Sequence, residues 1–278
     1  MFPNDNHWNL KVDDLSVHKN SDAIIGSIGR DDTLHPDFGA GRWEGARIGI
    51  PYVAVPGDQK KVPIRFYYGD ESDPGPYPIP KDAPIEGGRD SDGDRHVIVI
   101  DRARCKLYEV FDAHSVDGGS RWRAGSGAVW DLDSNKLRPK GWTSADAAGL
   151  PILAGLARYH EVADGEITHA LRFTVERSRR AYIYPARHYA SDATSADLPA
   201  MGQRLRLKKG FDISGFPEQV QVILRALKTY GMIVADNGSD WFISGAPNTR
   251  WNDDALHRLK EIEGRNFEVV DTSELPKP

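Results

Sequence analysis

Two runs of β-branched and aromatic residues, His96 to Asp101 and Cys105 to Asp112, are separated only by Arg102, Ala103 and Arg104. A polar link this short between two strand-type runs allows a tight reversal and little else, so an antiparallel hairpin is expected. Further strand signals cover Val62 to Tyr68, Ala128 to Leu132, Ile167 to Val175, Ala181 to Tyr184 and Gln203 to Lys208. In the last of these, Leu205 and Leu207 alternate with Arg204, Arg206 and Lys208, which predicts one face inward and one in water. Met232 to Ala235 and Trp241 to Ser244 flank Asp236-Asn237-Gly238-Ser239-Asp240, whose Asn-Gly pair tolerates positive φ, and a second hairpin is expected there.

Helical periodicity is confined to the last quarter of the chain. After Pro217, the positions Val220, Ile223, Leu224, Leu227 and Tyr230 share one helical face, and Gly231 is placed to end the helix. A shorter helix is expected from Asn252 or Asp253, with Leu256, Leu259 and Ile262 on its apolar side. Many short strands with few helices predict a mostly β fold, a β-sandwich or jelly roll with a small C-terminal helical elaboration. Residues 1–278 are read as one domain, with the sandwich spanning about 62–244 and helices near 217–231 and 253–262.

The segment 69–95 interrupts this pattern: its 27 residues include five prolines, five glycines and eight acidic side chains. It reads either as an exposed linker or as an ordered binding loop. In the second case Pro76, Pro78 and Pro80 would stiffen an extended stretch that presents the Tyr77 ring.

Composition narrows the function classes. A net charge of −5 and a pI near 6.0 argue against phosphate-backbone or anionic-membrane binding, which need a basic surplus. Aliphatic runs no longer than the size of Val97 to Ile100 are far below the roughly 18–20 residues of a membrane span. The single Cys105 cannot form an intrachain disulfide or a thiolate zinc cluster. Met1 is followed by Pro3, Asn4, Asp5 and Asn6 with no basic or apolar stretch, so no export leader is expected within this chain.

The common local signatures are incomplete. Gly39, Gly41 and Gly45 miss the dinucleotide spacing, His160-Glu161 lacks the second zinc-protease histidine, and Ser126 sits in Gly125-Ser126-Gly127 rather than in a nucleophile elbow. Asp90, Asp92 and Asp94 alternate around Gly93, a spacing that lets one short loop surround a calcium ion. No organic cofactor is expected. Among carboxylates, Glu109 alternates with Leu107 and Phe111 toward an apolar face, Asp37 sits beside His35 and Phe38, and Glu71 is crowded by Asp70 and Asp73. Burial or crowding raises carboxyl pKa values, as a general acid requires. His169 shares the inward face of Leu171, Phe173 and Val175 and would tune such a group. Trp43, Tyr77 and Trp130 are candidates for stacking on sugars, and Arg187 and His188 for polar contacts. Eight Lys or Arg residues against two acids in 177–209 suggest a local basic patch.

Several segments also carry a resemblance: Leu34-His35-Pro36-Asp37-Phe38-Gly39, the GDESDPGPYPIP run at 69–80, GWTSADAAGLPI at 141–152, ITHALRFTV at 167–175, and the long stretch 222–247. On these the chain resembles a family of uncharacterised secreted proteins of soil and compost bacteria. The resemblance implies export and work on an extracellular polymer, because relatives are sometimes attached to carbohydrate-binding modules. It transfers no catalytic residue. The expected function is therefore an extracellular polysaccharide-active enzyme, a glycoside hydrolase with Asp37, Glu71 and Glu109 as preferred carboxylates and His169 beside them. The alternatives are a non-catalytic carbohydrate-binding or cell-surface module, and a lyase that handles uronates through Arg187, His188 and Tyr189. The partner expected in each case is a polysaccharide or glycan, with neither nucleic acid nor membrane involved.

Overall fold

The computed structural model describes residues 1–276. Helix α1 (Ser21–Ile28) and strand β1 (His35–Asp37) come first, followed by the ribbon β2 (Arg42–Trp43) and β3 (Ala46–Arg47), then β4 (Tyr52–Val55) and β5 (Ile64–Phe66). Beyond the acidic segment lie β6 (Val97–Asp101), β7 (Lys106–Phe111), β8 (His114–Val116), β9 (Arg121–Ala124) and β10 (Ser126–Asp131). Two single-turn helices follow, α2 (Ile152–Gly155) and α3 (Tyr159–Ala163), and then β11 (Leu171–Val175) and β12 (Arg204–Leu207). Helix α4 (Glu218–Thr229), β13 (Met232–Asn237), β14 (Phe242–Ser244), α5 (Asp253–His257) and β15 (Phe267–Val269) complete the order. With 25% of residues in strands and 17% in helices, the fold is β-rich.

The strongest sequence signal corresponds to β6 and β7, which pair antiparallel with Val97 opposite Val110 and Asp101 opposite Lys106. They are central in a four-stranded sheet of order β10-β7-β6-β4, in which β4 runs parallel to β6. Both faces of this sheet are covered, which explains the unbroken apolar run of β6. Val97, Val99, Tyr108 and Val110 point toward a core shared with Trp122 and Ala124 of the three-stranded sheet β5-β9-β8. Ile98, Leu107, Ala128 and Trp130 point the other way, against Ile152, Leu153 and Leu156.

The second large sheet is mixed and six-stranded, in the order β1-β14-β11-β13-β12-β15. Here the sequence reading needs correction: β13 and β14 are not a hairpin, because β11 lies between them, parallel to β13 and antiparallel to β14. Asn237 ends β13, and the positive φ of the reversal falls at Trp241 rather than at the Asn-Gly pair, while burial of Leu171, Phe173 and Val175 in the core draws β11 into the gap. Ala181 to Tyr184 makes a single bridge, Tyr182 with Met201, and no strand.

The alternating arginines of β12 also depart from expectation. Arg204 and Arg206 are 2% and 8% exposed. The N-terminal segment crosses this face and supplies carbonyl acceptors, His7 and Leu10 to Arg204, and Val12 and Leu15 to Arg206. Hydrogen-bonded arginines can be buried where an alternation rule would place them in water.

Helix α4 forms where its periodicity places it and packs on β12. Val220, Ile223, Leu224 and Leu227 are 0% exposed. At about 1.5–3 kcal/mol per large side chain, this face contributes several kcal/mol before ordering entropy. Gly231 has φ +69°, and a Cβ there would meet the Leu205 carbonyl oxygen at 2.2 Å, so glycine is required on two grounds. At α5 the Asn252 side chain accepts from the Ala255 amide at 3.0 Å, the expected cap.

The acidic segment is an ordered, packed loop. Tyr77, Ile79, Ala83 and Ile85 are buried in the core beneath the four-stranded sheet. Arg95, itself buried, fastens the Asp90–Asp94 turn by donating to the carbonyls of Arg89, Ser91 and Ala113.

Candidate functional site

A cavity of 370 Å³ opens beside the end of β13, bounded by Asp94, Asp146, Asp236, Glu71, His188 and Asn237, with Tyr68 and Phe111 as its aromatic walls. Asp236 reaches it through an irregularity in the strand pairing. Phe173 of β11 is opposite Val234, but the next residue, Thr174, is opposite Asp236 rather than Ala235. In regular alternation Asp236 would share the core face of Val234 and Phe173. The extra residue turns it to the face that carries Arg172 and Thr174.

Arg172 organises the floor. Its Nε and Nη2 fork onto Oδ2 and Oδ1 of Asp146 at 3.0 and 2.8 Å, and Nη1 donates to Ser244 Oγ. Side-chain exposure is 4% for Arg172 and 0% for Asp146, so the charges compensate each other away from water. Asp236 Oδ2 stands 4.0 Å from the same guanidinium and remains 21% exposed. The loop holding Asp146 is fixed locally: the Ser144 hydroxyl accepts the Asp146 amide at 2.9 Å and donates to Leu150 O at 2.6 Å.

This placement divides the two carboxylates into different states. Burial first, then the negative charge of Asp146 and a hydrogen bond with it, pushes the Asp236 carboxyl up to about 8, against the opposing pull of Arg172. At neutral pH Asp236 therefore carries a proton in a cavity open to solvent, while Asp146 is held beneath it as the anion of Arg172.

A second pair, buried His96 with half-buried Glu86, supports the loop from behind. His96 Nδ1 lies 2.5 Å from Glu86 Oε2, and Nε2 lies 2.9 Å from Ala145 O. With acceptors on both nitrogens the ring is an imidazolium. Burial alone would lower its pKa, but Glu86 outweighs this and raises it to about 9. Burial would raise Glu86, and His96 reverses that and holds it below the usual carboxylate range. His188 Nδ1 donates to Ala147 O at 2.9 Å, which leaves Nε2 as the nitrogen without a backbone partner.

The residues singled out from sequence are dispersed. Glu71 lines the cavity and accepts the Thr143 amide at 3.1 Å, and His188 and Asp94 line it as well. Asp37, at the end of β1, keeps solvent contact, yet surrounding protein and the charge of Glu86 raise its pKa against the pull of Arg172. Glu109 is 0% exposed, as its alternation implied, but it does not reach the cavity. It accepts the Ile152 and Leu153 amides at the start of α2 and the Trp130 indole, and burial raises it to about 7 against those bonds.

His169 belongs to a separate pocket, where its Nε2 is 3.1 Å from Glu161 Oε1 and 2.9 Å from Arg158 Nη2. Tyr77 is 0% exposed, and its hydroxyl donates to Asp73 O at 2.8 Å, so it is a core residue and not a presented ring. Trp43 is 73% exposed on the β2–β3 ribbon, outside the cavity. Trp130 and Arg187 line a neighbouring cavity. Asp90 and Asp92 are exposed and away from the cavity that Asp94 lines, and among the described residues no group of three His, Cys, Asp or Glu is placed to hold a metal ion.

Sequence reasoning missed Asp146, Asp236 and Arg172. One signal was present: Arg172 interrupts an apolar strand, and an arginine in a buried strand must find buried acceptors, a carboxylate or, as for Arg204, backbone carbonyls. No family model, curated protein or solved structure matches this chain.

Proposed function

We propose that this protein is an extracellular polysaccharide-active enzyme that hydrolyses glycosidic bonds. Asp236 acts as the general acid and Asp94, on the solvent-facing wall of the same cavity, as the second carboxylate. The observation that carries this reading is the placement of Asp236 in an open cavity, 4.0 Å from the guanidinium of a buried Asp146–Arg172 pair, surroundings that push its carboxyl up to about 8. An acid in this state can give its proton to a departing glycosidic oxygen, and a partner carboxylate then activates water or attacks the sugar. Asp146 is excluded from either role by its burial and its two-point bond to Arg172, so it positions Asp236. Tyr68 and Phe111 supply apolar surface for a sugar face. We read the four- and three-stranded sheets, which share one core, as the sandwich part of the fold; extracellular action follows from the resemblance of the segments quoted above.

The test is reducing-end release from a panel of plant and microbial polysaccharides. Asp236→Asn should lower turnover by about 10²–10⁴-fold while glycan binding persists. Activity of the native enzyme should decline as pH rises past about 8, where the acid loses its proton. Binding without cleavage of any polymer would identify a binding module, and an unsaturated product absorbing in the near ultraviolet would identify a lyase; either result overturns hydrolysis.

A further inference from the structure

A second cavity, of 620 Å³, adjoins the first. The two meet along two chain segments, since Thr143 and His188 line one while their neighbours Trp142 and Arg187 line the other. Four cations border this second cavity, Lys106, Lys136, Arg138 and Arg187, with two carboxylates, Asp73 and Asp131. Both carboxylates are already matched: Lys106 Nζ is 2.7 Å from Asp131, and Arg138 Nη1 is 2.5 Å from Asp73. Arg138 is fully committed, because its other nitrogens donate to the carbonyls of Thr143 and Glu71. Its guanidinium also lies 5.7 Å from the Trp130 ring centre and 5.4 Å from that of Trp142.

Arg187 and Lys136 remain without a carboxylate among the described residues. Arg187 is half-buried, and only its Nε is used, donating to Arg138 O at 2.8 Å. Its backbone is fixed on both sides, N–H to Ala148 O at 2.8 Å and C=O from the Gly141 amide at 2.7 Å. A rigidly mounted guanidinium with both Nη groups free, beside the half-buried ring of Trp142, suits a planar anion carried on a ring with an apolar face.

We propose that this cavity is a subsite for an anionic sugar, one carrying a carboxylate or a sulfate ester, which Arg187 and Lys136 hold while Trp142 packs on the ring. The proposal deepens the polysaccharide reading, on which it rests for the identity of the ligand, and makes the substrate an acidic glycan.

Calorimetric titration of the full chain with oligogalacturonate, a sulfated galactan oligosaccharide and a neutral cello-oligosaccharide tests it. Either anionic probe should bind more tightly than the neutral one, with the preference weakening as salt is raised. The stronger of the two anions identifies the group recognised. Arg187→Ala should reduce that preference by about 10- to 100-fold, the worth of charge-assisted hydrogen bonds. Lys136→Ala, at an exposed position where folding is not at stake, should reduce it in the same direction. Equal affinity for all three probes, or a preference that survives both substitutions, overturns the subsite. Arg187-dependent binding of an acidic glycan with no cleavage would keep the subsite and sink hydrolysis. Cleavage of a neutral polymer that depends on Asp236 but is indifferent to Arg187 would do the reverse.

Discussion

Replacing Asp146 by asparagine tests the charge arrangement on which the site depends. Arg172 and Asp146 are 4% and 0% exposed and meet through two hydrogen bonds of 3.0 and 2.8 Å. Asparagine preserves the shape of the loop and its backbone bonds, but the guanidinium loses its anion. Removing one member of a buried pair costs about 3–5 kcal/mol. Here a substitute stands nearby: Asp236, 4.0 Å from the same guanidinium, is protonated largely because it is buried and Asp146 already carries the charge. With Asp146 neutral, Asp236 ionises toward Arg172, which keeps the loss near the low end, about 3 kcal/mol.

Asp236→Asn alone exchanges a neutral carboxyl for a neutral amide that can still donate to Asp146, and should change stability by less than about 1 kcal/mol at pH 6. The double variant leaves Arg172 with neither Asp146 nor a carboxyl that can ionise in its place, and should lose about 5 kcal/mol, more than the two single changes together. Denaturant unfolding at pH 6, followed by circular dichroism and tryptophan fluorescence, supplies the full cycle. If Asp146→Asn costs under about 1 kcal/mol, or if the double variant is no worse than Asp146→Asn, the proposed division between charged Asp146 and neutral Asp236 is wrong.

Leu224→Ala, a large-to-small change at a 0% exposed position of α4, should cost about 2–5 kcal/mol in the same unfolding assay, and an unchanged midpoint would remove α4 from the core. Glu109→Ala leaves the Ile152 and Leu153 amides and the Trp130 indole without an acceptor and should cost at least about 3 kcal/mol, with Glu109→Gln milder because one carbonyl oxygen remains. Stability should also fall on the alkaline side. His96 is raised from 6.5 to about 9, so its contribution is complete below pH 6.5 and disappears as pH rises through about 9. Asp236, raised from 3.8 to about 8, binds its proton more tightly when folded, so stability declines across that window as well. Thermal melts from pH 6 to 9 should show a falling midpoint, with a shallower fall in Asp236→Asn; parallel curves would contradict the protonated acid.

The hairpin β6–β7, helix α4 and the Asn252 cap were legible because each depends on interactions between near neighbours in sequence. A short polar link, which the structure extends by one residue to Arg102–Cys105, a 3.6-residue apolar period and a capping side chain act over one or two turns of chain. The burial of Glu109 was legible for the same reason, from its alternation with Leu107 and Phe111. Its role was not, because the amides it accepts belong to Ile152 and Leu153, more than forty residues on.

Tertiary structure alone decided the site. Asp236 stands in what sequence shows only as a polar turn, nothing in the local pattern singles out Asp146, and Arg172 is the element that gathers them, from the middle of a six-stranded sheet. Insertion of β11 between β13 and β14, and the single extra residue that turns Asp236 away from the core, follow from the burial of strands distant in sequence. Likewise Arg204 and Arg206 are buried because residues 7–15 cross over β12 and offer their carbonyls, with Tyr230 O and the Glu268 carboxylate completing the acceptors. Local pattern specifies which face of an element is apolar. Which charged group is driven out of water, and so acquires a shifted pKa, depends on what the rest of the chain places against that face.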